Sequence, residues 1–303
     1  MEDVKSVKAG DKFGCVAGGV GSRLVFQRKV SYTVPMGFIQ RQNERADDVG
    51  AWVLNMGLGI WRFLHLLLWT SRAFIRMRWL SRPAVTNVVI RQIYFTGVQS
   101  LVWVTVMALV AGVLAVYNIA VFARSVQDLS LIGSLINTLL VQEVAPMVVM
   151  LFLLVRSGVA VVTEVGHMQA RGEDVFLHSL GISLFEYIYL PRVLAFALCG
   201  VILTFIFVVI SIWVGGLLLS WMYVLNFSEF LVEVQRGTEF KEVIAMFLKG
   251  LIYPSLSCMV LIDQGRCVGS DPNQIPVRVS SGVMGVMMLI LSLDVAWVLL
   301  WRL

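Results

Sequence analysis

Five long stretches of this sequence carry almost no charge, and that leaves few folds open to it. Gly97 to Phe122 is 26 residues, roughly 39 Å as an α-helix, against a bilayer core of about 30 Å. Val144 to Thr163 follows, interrupted by Arg156. Val193 to about Val224 is long enough to tilt or break, Val243 to Ile262 contains Lys249 and Pro254, and Val279 to Leu300 encloses Asp294. Composition agrees, with 58% hydrophobic and 14% charged residues, against about 45–50% and about 25% in soluble domains. A mean hydropathy of +0.84 leaves an apolar surplus that needs an apolar solvent. The expected fold is therefore an all-α polytopic membrane protein, with an N-terminal interfacial helix, about five transmembrane helices and a cytoplasmic loop of short helices.

The net charge of +5 invites a nucleic-acid reading, but its distribution argues against one. Of the 24 Lys and Arg residues, 14 fall at or before Arg91, ahead of the first long run. Basic residues flanking a span hold that side in the cytoplasm. We therefore expect a multi-pass protein of the bacterial inner membrane with a cytoplasmic N-terminus. Five spans put the termini on opposite sides. Cys15, Cys199, Cys258 and Cys267 form no CxxC pair and no metal-ligand spacing with His65, His167 and His178, so neither metal nor cofactor is expected. The opening MEDVKSVKAGDKFG holds acids and no apolar core of a signal peptide.

Residues 1–50 form a polar, basic extension without a strong period. From Ala51 to about Arg82, Trp and Phe alternate with Arg62, His65, Arg72, Arg76 and Arg78. That pattern describes a helix lying in the membrane interface, since a spanning one would bury Arg62. The predicted permease domain thus covers 51–303, with the interfacial helix at 51–82 and the transmembrane region at 97–303. Between the second and third runs, Glu164 to Arg192 reads as two short amphipathic helices. Glu173 and Asp174 suit a helix N-terminus, Val175, Phe176, Leu177 and Leu180 supply an apolar face, and Gly181 suits a C-terminal cap. Ser183 and Glu186 have the spacing of a capping box that opens the second. The pattern fits a docking element or an interfacial connector.

Charges inside spans are costly and usually functional. Glu143 falls at the outer start of the second run, Arg156 within it and Glu164 at its inner end. Arg156 and Glu164 are eight positions apart, about 80° around a helix, too distant along the axis to pair with each other. They shape a cavity and its gate, or they pair between helices. For Arg156 and Asp294 the expectation is interhelical pairing, with Lys249 as a further member. For Glu143, near the predicted cavity mouth, the expectation is function. Gly158, Ala160, Gly215 and Gly216 would let helices approach closely.

The stretch Glu143-Val-Ala-Pro146, then Arg156-Ser-Gly158, then Thr163-Glu164-Val-Gly166-His-Met168, resembles the signature of the MlaE/YrbE permeases. Arg91 to Ser100, Tyr189 to Ala195, Lys249-Gly250 and Asp294 are similar to further parts of that family's pattern. The resemblance implies a lipid permease, a homodimer working with a cytoplasmic ABC ATPase and an MCE-domain protein. It places Gln142, Glu143, Pro146, Arg156 and Glu164 at the substrate cavity or gate. It makes Glu173, Asp174, Phe176, Leu177 and Leu180 the contact with the ATPase. Gln142 stands where the family often has Arg, and Ile275 to Ser281 replaces the family's G-R-A-T-T-like stretch before the last run. No GxxxxGK[ST] loop occurs in the chain, so energy is expected from a partner. A membrane-embedded lipid enzyme would need clustered His, Asp or Ser, whereas the three histidines are scattered. An ion-coupled transporter would be expected to show repeated halves, and none is visible.

Overall fold

The computed structural model describes residues 83–126, 131–181, 184–222 and 226–302. The expected N-terminal extension and the interfacial helix at 51–82 lie outside the described residues, as does Ser183 of the expected capping box. Among the described residues every regular element is a helix. Five are long and apolar enough to cross a membrane: α1 (Thr86–Phe122), α2 (Gly133–Ala170), α4 (Tyr187–Trp221), α6 (Phe240–Arg266) and α7 (Pro272–Leu299). Two shorter helices join them, α3 (Glu173–Ser179) between α2 and α4, and α5 (Phe227–Gly237) between α4 and α6. This is the all-α polytopic membrane fold that the apolar runs imply.

The helix ends follow from local chemistry. Gly172 and Gly181, on either side of α3, take φ of 68° and 73°, a left-handed backbone that suits glycine. Asn226 and Glu229 close a capping box on α5, and Glu239 and Glu242 close one on α6. Before α7, the Asp271 carboxylate accepts the Asn273 N–H at 3.0 Å.

Four of the spans depart from α geometry along part of their length, α4 at its start in the π segment Phe185–Tyr189 and α7 at its start in the 3-10 turn Pro272–Gln274. In α1 a π segment covers Tyr94–Val98, and in α2 two cover Ile136–Val144 and Leu154–Gly158. Pro146 explains the longest. It sits in the first turn of the following α-helical segment and has no N–H to return to the preceding turn. The helix widens there instead of breaking, as is usual when a bond leaves the ladder.

α4 is the central helix, lying against α1 on one side and α6 on the other. Of its apolar window 61% is buried, against 17% for α7. The crossings depend on small residues. Ser211 of α4 approaches Gly112 of α1 closely, and its Oγ donates to the Ala108 carbonyl at 3.0 Å. Gly215 receives Val116. A side chain at Gly200 would meet Pro254 and, at 2.5 Å, the Gly250 carbonyl oxygen of α6.

The sequence and the structure differ in three places, and one alternative left open by the sequence is decided. α2 begins at Gly133 rather than Val144. The polar Asn137, Gln142 and Glu143 end the apolar run in the sequence, yet the fold buries Asn137 and bonds it to the Gly237 carbonyl at 3.2 Å. The third run, long enough to tilt or break, does not break: it is α-helical over Leu190–Trp221. The expected second short helix of the loop is the start of α4, because Phe185–Tyr189 leads directly into Leu190. Gly158 and Gly216 do admit neighbours, Leu261 and Phe230, but Ala160 faces outward.

Replacing Gly200 by Leu should push α4 and α6 apart. The expected loss is about 1–3 kcal/mol, as for other overpacked cores. A lowered midpoint in detergent thermal unfolding of the full chain would show it, whereas the same change at exposed Ala160 should leave the midpoint unmoved.

Candidate functional site

The most concentrated polar chemistry inside the bundle is at Lys249 of α6. Its side chain is 1% exposed, and its ammonium donates to Glu143 Oε2 of α2 at 2.7 Å and Asp294 Oδ1 of α7 at 2.8 Å. Tyr253, one turn along α6, donates its hydroxyl to the same Asp294 oxygen at 2.9 Å. The Trp297 ring of α7 lies 5.9 Å from the Lys249 ammonium, within cation–π range. One cation therefore ties three spans together. The ammonium is buried, and two half-buried carboxylates replace the hydration that it gives up.

Each predicted site residue has a definite place in this frame. Glu143 is not at the start of the second span: α2 runs from Gly133, so the carboxylate lies ten residues inside it. Pro146 is buried one turn further along, beneath the π segment that carries Glu143. Gln142 is 7% exposed, so its amide lines no open surface of the protomer. The pairing expected for Asp294 and Lys249 is present. Arg156 takes no part in it. Its guanidinium donates instead to Ser100 Oγ at 2.6 Å and Gln99 Oε1 at 3.1 Å, both on α1. Glu164 pairs with Arg192 of α4 at 2.7 Å and, as the spacing requires, not with Arg156. The set Gln142, Glu143, Pro146, Arg156 and Glu164 is thus spread over three levels of α2, and only Glu143 belongs to the Lys249 cluster.

The loop side is simpler. Glu173 and Asp174 occupy the first turn of α3, where Asp174 Oδ2 accepts from Gln169 Nε2 at 3.0 Å and Glu173 faces Arg171 at 3.7 Å. Val175, Phe176 and Leu180 are 69%, 64% and 58% exposed. Leu177, expected on the same face, is half-buried, because it turns from the outer side of this short helix.

Tyr253 is the participant that the sequence reading passed over. The signal was present: Lys249, Tyr253 and Ser257 recur every four residues in an apolar helix, and all three are buried. Gln99, the acceptor for Arg156, carried no comparable signal, since an exposed glutamine near a span end is ordinary. No group of three or more His, Cys, Asp and Glu side chains with metal-holding geometry occurs among the described residues.

Comparison with known proteins addresses the whole bundle. The family model described as Permease MlaE matches residues 89–300, which take in the Lys249 cluster, four whole spans and all but the first three residues of α1. The chain belongs to the MlaE permease family. Among its relatives, a probable ABC transporter permease protein of Rickettsia bellii is 24% identical over 249 residues, 81% of this chain and 93% of that one. A probable ABC transporter permease protein of Synechocystis is 30% identical over 122 residues, 40% of this chain and 46% of that one. The intermembrane phospholipid transport system permease protein MlaE of Haemophilus influenzae is 30% identical over 129 residues, 42% of this chain and 49% of that one. The matched stretches thus span just under half of the last two relatives and nearly all of the first.

In this MlaE-family bundle Lys249 carries the test of the cluster. Lys249→Met should cost about 3–5 kcal/mol, because it strands two carboxylates in the interior. Adding Glu143→Gln and Asp294→Asn to it should restore most of the loss. Detergent thermal unfolding of the three proteins measures both steps.

Proposed function

We propose that this chain is the permease subunit of an ABC transporter that moves phospholipid or a related lipid. It would carry that lipid between the inner membrane and an MCE-domain protein, with energy from a separate cytoplasmic ATPase. Family membership over residues 89–300 is the observation that carries the reading. The relatives' names add the ABC and phospholipid elements to it. The chain itself is read as a non-enzymatic subunit, working as a homodimer in the inner membrane with its N-terminus in the cytoplasm.

The chemistry supports that role in two ways. The spans present Leu, Val, Phe and Met over most of their surface, which suits lipid tails. α3 presents Val175, Phe176 and Leu180 outward at the turn between α2 and α4, where a partner can grip both spans. Movement of a docked ATPase would pass through α3 into α2, and so to Glu143 and Arg156. In this reading Glu173 and Asp174 hold the first turn of α3, and Leu177 anchors the helix from its inner side. Glu164, paired with Arg192, ties the end of α2 to α4 near the same junction. Glu143 and Pro146 fix the shape of α2 where the cavity would narrow, beside the buried Gln142.

Two experiments test this. Replacing Val175 and Phe176 by Asp should abolish co-purification of the ATPase while the permease still accumulates in the membrane. ATPase recovered at the wild-type level with the variant would remove the coupling role from α3. A reporter fused after Leu303 should read as periplasmic, and a cytoplasmic signal there would reverse the proposed orientation.

A further inference from the structure

Arg156 differs from Lys249 and Arg192, two other cations tucked into the bundle, whose partners are carboxylates. Lys249 has two carboxylates, whereas both hydrogen-bond acceptors of Arg156 are neutral. Arg156 lies in the π segment Leu154–Gly158, seven residues before Thr163, within the apolar stretch of α2. A guanidinium has five N–H donors in a planar fork, and two of them are committed here. Ser100 is fully buried and spends its own hydrogen on the Thr96 carbonyl at 2.5 Å, so it presents only lone pairs to Arg156. The group is therefore fixed in orientation, still carries a full positive charge and keeps donors to spare.

Its surroundings show where those donors lead. Gln99 is exposed, and on α2 the neighbouring Val155 is 64% exposed. On α1, Val98 and Val102 are 54% and 65% exposed and stand one residue before and three after Gln99, giving that helix an apolar outer face next to it. Arg91, Phe95 and Gln99 follow one another at four-residue intervals, and the Arg91 guanidinium lies 5.6 Å over the Phe95 ring. Arg91 and Gln99 are eight residues apart, on the order of 12 Å along the helix. A second cation thus stands on the same stripe of α1, toward the end from which the span begins. An apolar face with two fixed cations at different depths complements one kind of molecule: an anion that carries acyl chains.

We propose that Arg156 binds the phosphate of an anionic glycerophospholipid headgroup at the outer edge of the α1–α2 contact, where Gln99 and Val155 are exposed, with the acyl chains against Val155 and the outer face of α1. Arg91 meets the headgroup first, and Arg156 receives it deeper in the membrane. The site is a lateral portal through which lipid passes between the bilayer and the bundle. The inference rests on the lipid-permease reading and adds to it a place of entry and a preference for anionic lipid.

The test measures binding, with no ATPase present, so that it stands apart from transport. The full chain, in nanodiscs containing equal phosphatidylglycerol and phosphatidylcholine, is released for native mass spectrometry, and the lipid retained is counted. Wild type should favour phosphatidylglycerol by roughly tenfold, because both lipids offer a phosphate but phosphatidylcholine also brings a quaternary ammonium close to the Arg91 and Arg156 guanidinium groups. Arg156→Gln should lose that preference, Arg156→Lys should keep part of it, and Met288→Ala, on the exposed face of α7, should leave it in place. Should Arg156→Gln prove unstable, a photo-crosslinking residue at Val155 in the otherwise wild-type chain gives the second measurement, and it should label phosphatidylglycerol in preference to phosphatidylcholine. An unchanged preference in a folded Arg156→Gln protein, or equal labelling of the two lipids, overturns the site. Displacement of the bound lipid by millimolar inorganic phosphate in solution would identify a free-anion site and overturn the lipid occupant. Arg156-dependent binding together with failed lipid transport would count against the permease reading alone.

Discussion

A single ammonium, that of Lys249, holds the arrangement of three spans. Helices in a bilayer gain little from apolar contact with one another, because lipid tails are as apolar as leucine. Close packing and buried polar bonds must supply the specificity instead. Lys249 bonds to Glu143 on α2 and Asp294 on α7 from its position on α6, so a shift of any of the three by one residue would strand a charge. Tyr253 locks Asp294 from the same face of α6. The glycine crossings allow the backbones to come this near: Gly200 against Pro254 sets the distance between α4 and α6, on which Lys249 rides. Buried ion pairs are weak evidence for stability in general, but fixing register is their best-attested use.

The second constraint is that a backbone without water must satisfy its own polar groups. Pro146 removes one N–H from the middle of α2, and the chain answers with the π segment Ile136–Val144 rather than a break. The widened turn carries both Gln142 and Glu143. The proline and the carboxylate therefore act together: one reshapes the helix, and the other uses the changed geometry to reach Lys249 across the bundle. Leu154–Gly158 repeats the device, and Arg156 sits within it. Both charged positions of the apolar part of α2 thus fall on π segments.

Much of this was legible in the residues, for a physical reason. Apolar runs longer than a bilayer core have one stable form, so all five spans were visible from composition and length. Lys249 and Asp294 stood out because a charge in such a run needs a partner. The boundaries were less legible where polar residues are buried in helix. Asn137 and Glu143 look like the end of a span, and only the tertiary bonds to Gly237 and Lys249 show that they belong inside it. The partner of Arg156 was hidden for the opposite reason. It bonds to a serine and a glutamine, which carry no charge to mark them as its match.

Exposure has a different meaning on the two kinds of surface in this molecule. α7 leaves Val277, Met284, Met288, Leu291, Val295 and Leu299 uncovered, and its apolar window is only 17% buried. In a membrane that face is already in a suitable solvent, so exposure alone does not require a protein partner. α3 is another matter. It lies outside the five apolar windows, on a turn with Arg171, Glu173 and Asp174, so its surroundings are polar. Val175 and Phe176 there lose hydrophobic free energy at about 25 cal/mol for each Å² left in water. A seven-residue helix cannot recover that loss by its own packing. In the proposed assembly the docked ATPase recovers that loss, so the partner covers the short α3 and leaves the most exposed span to lipid.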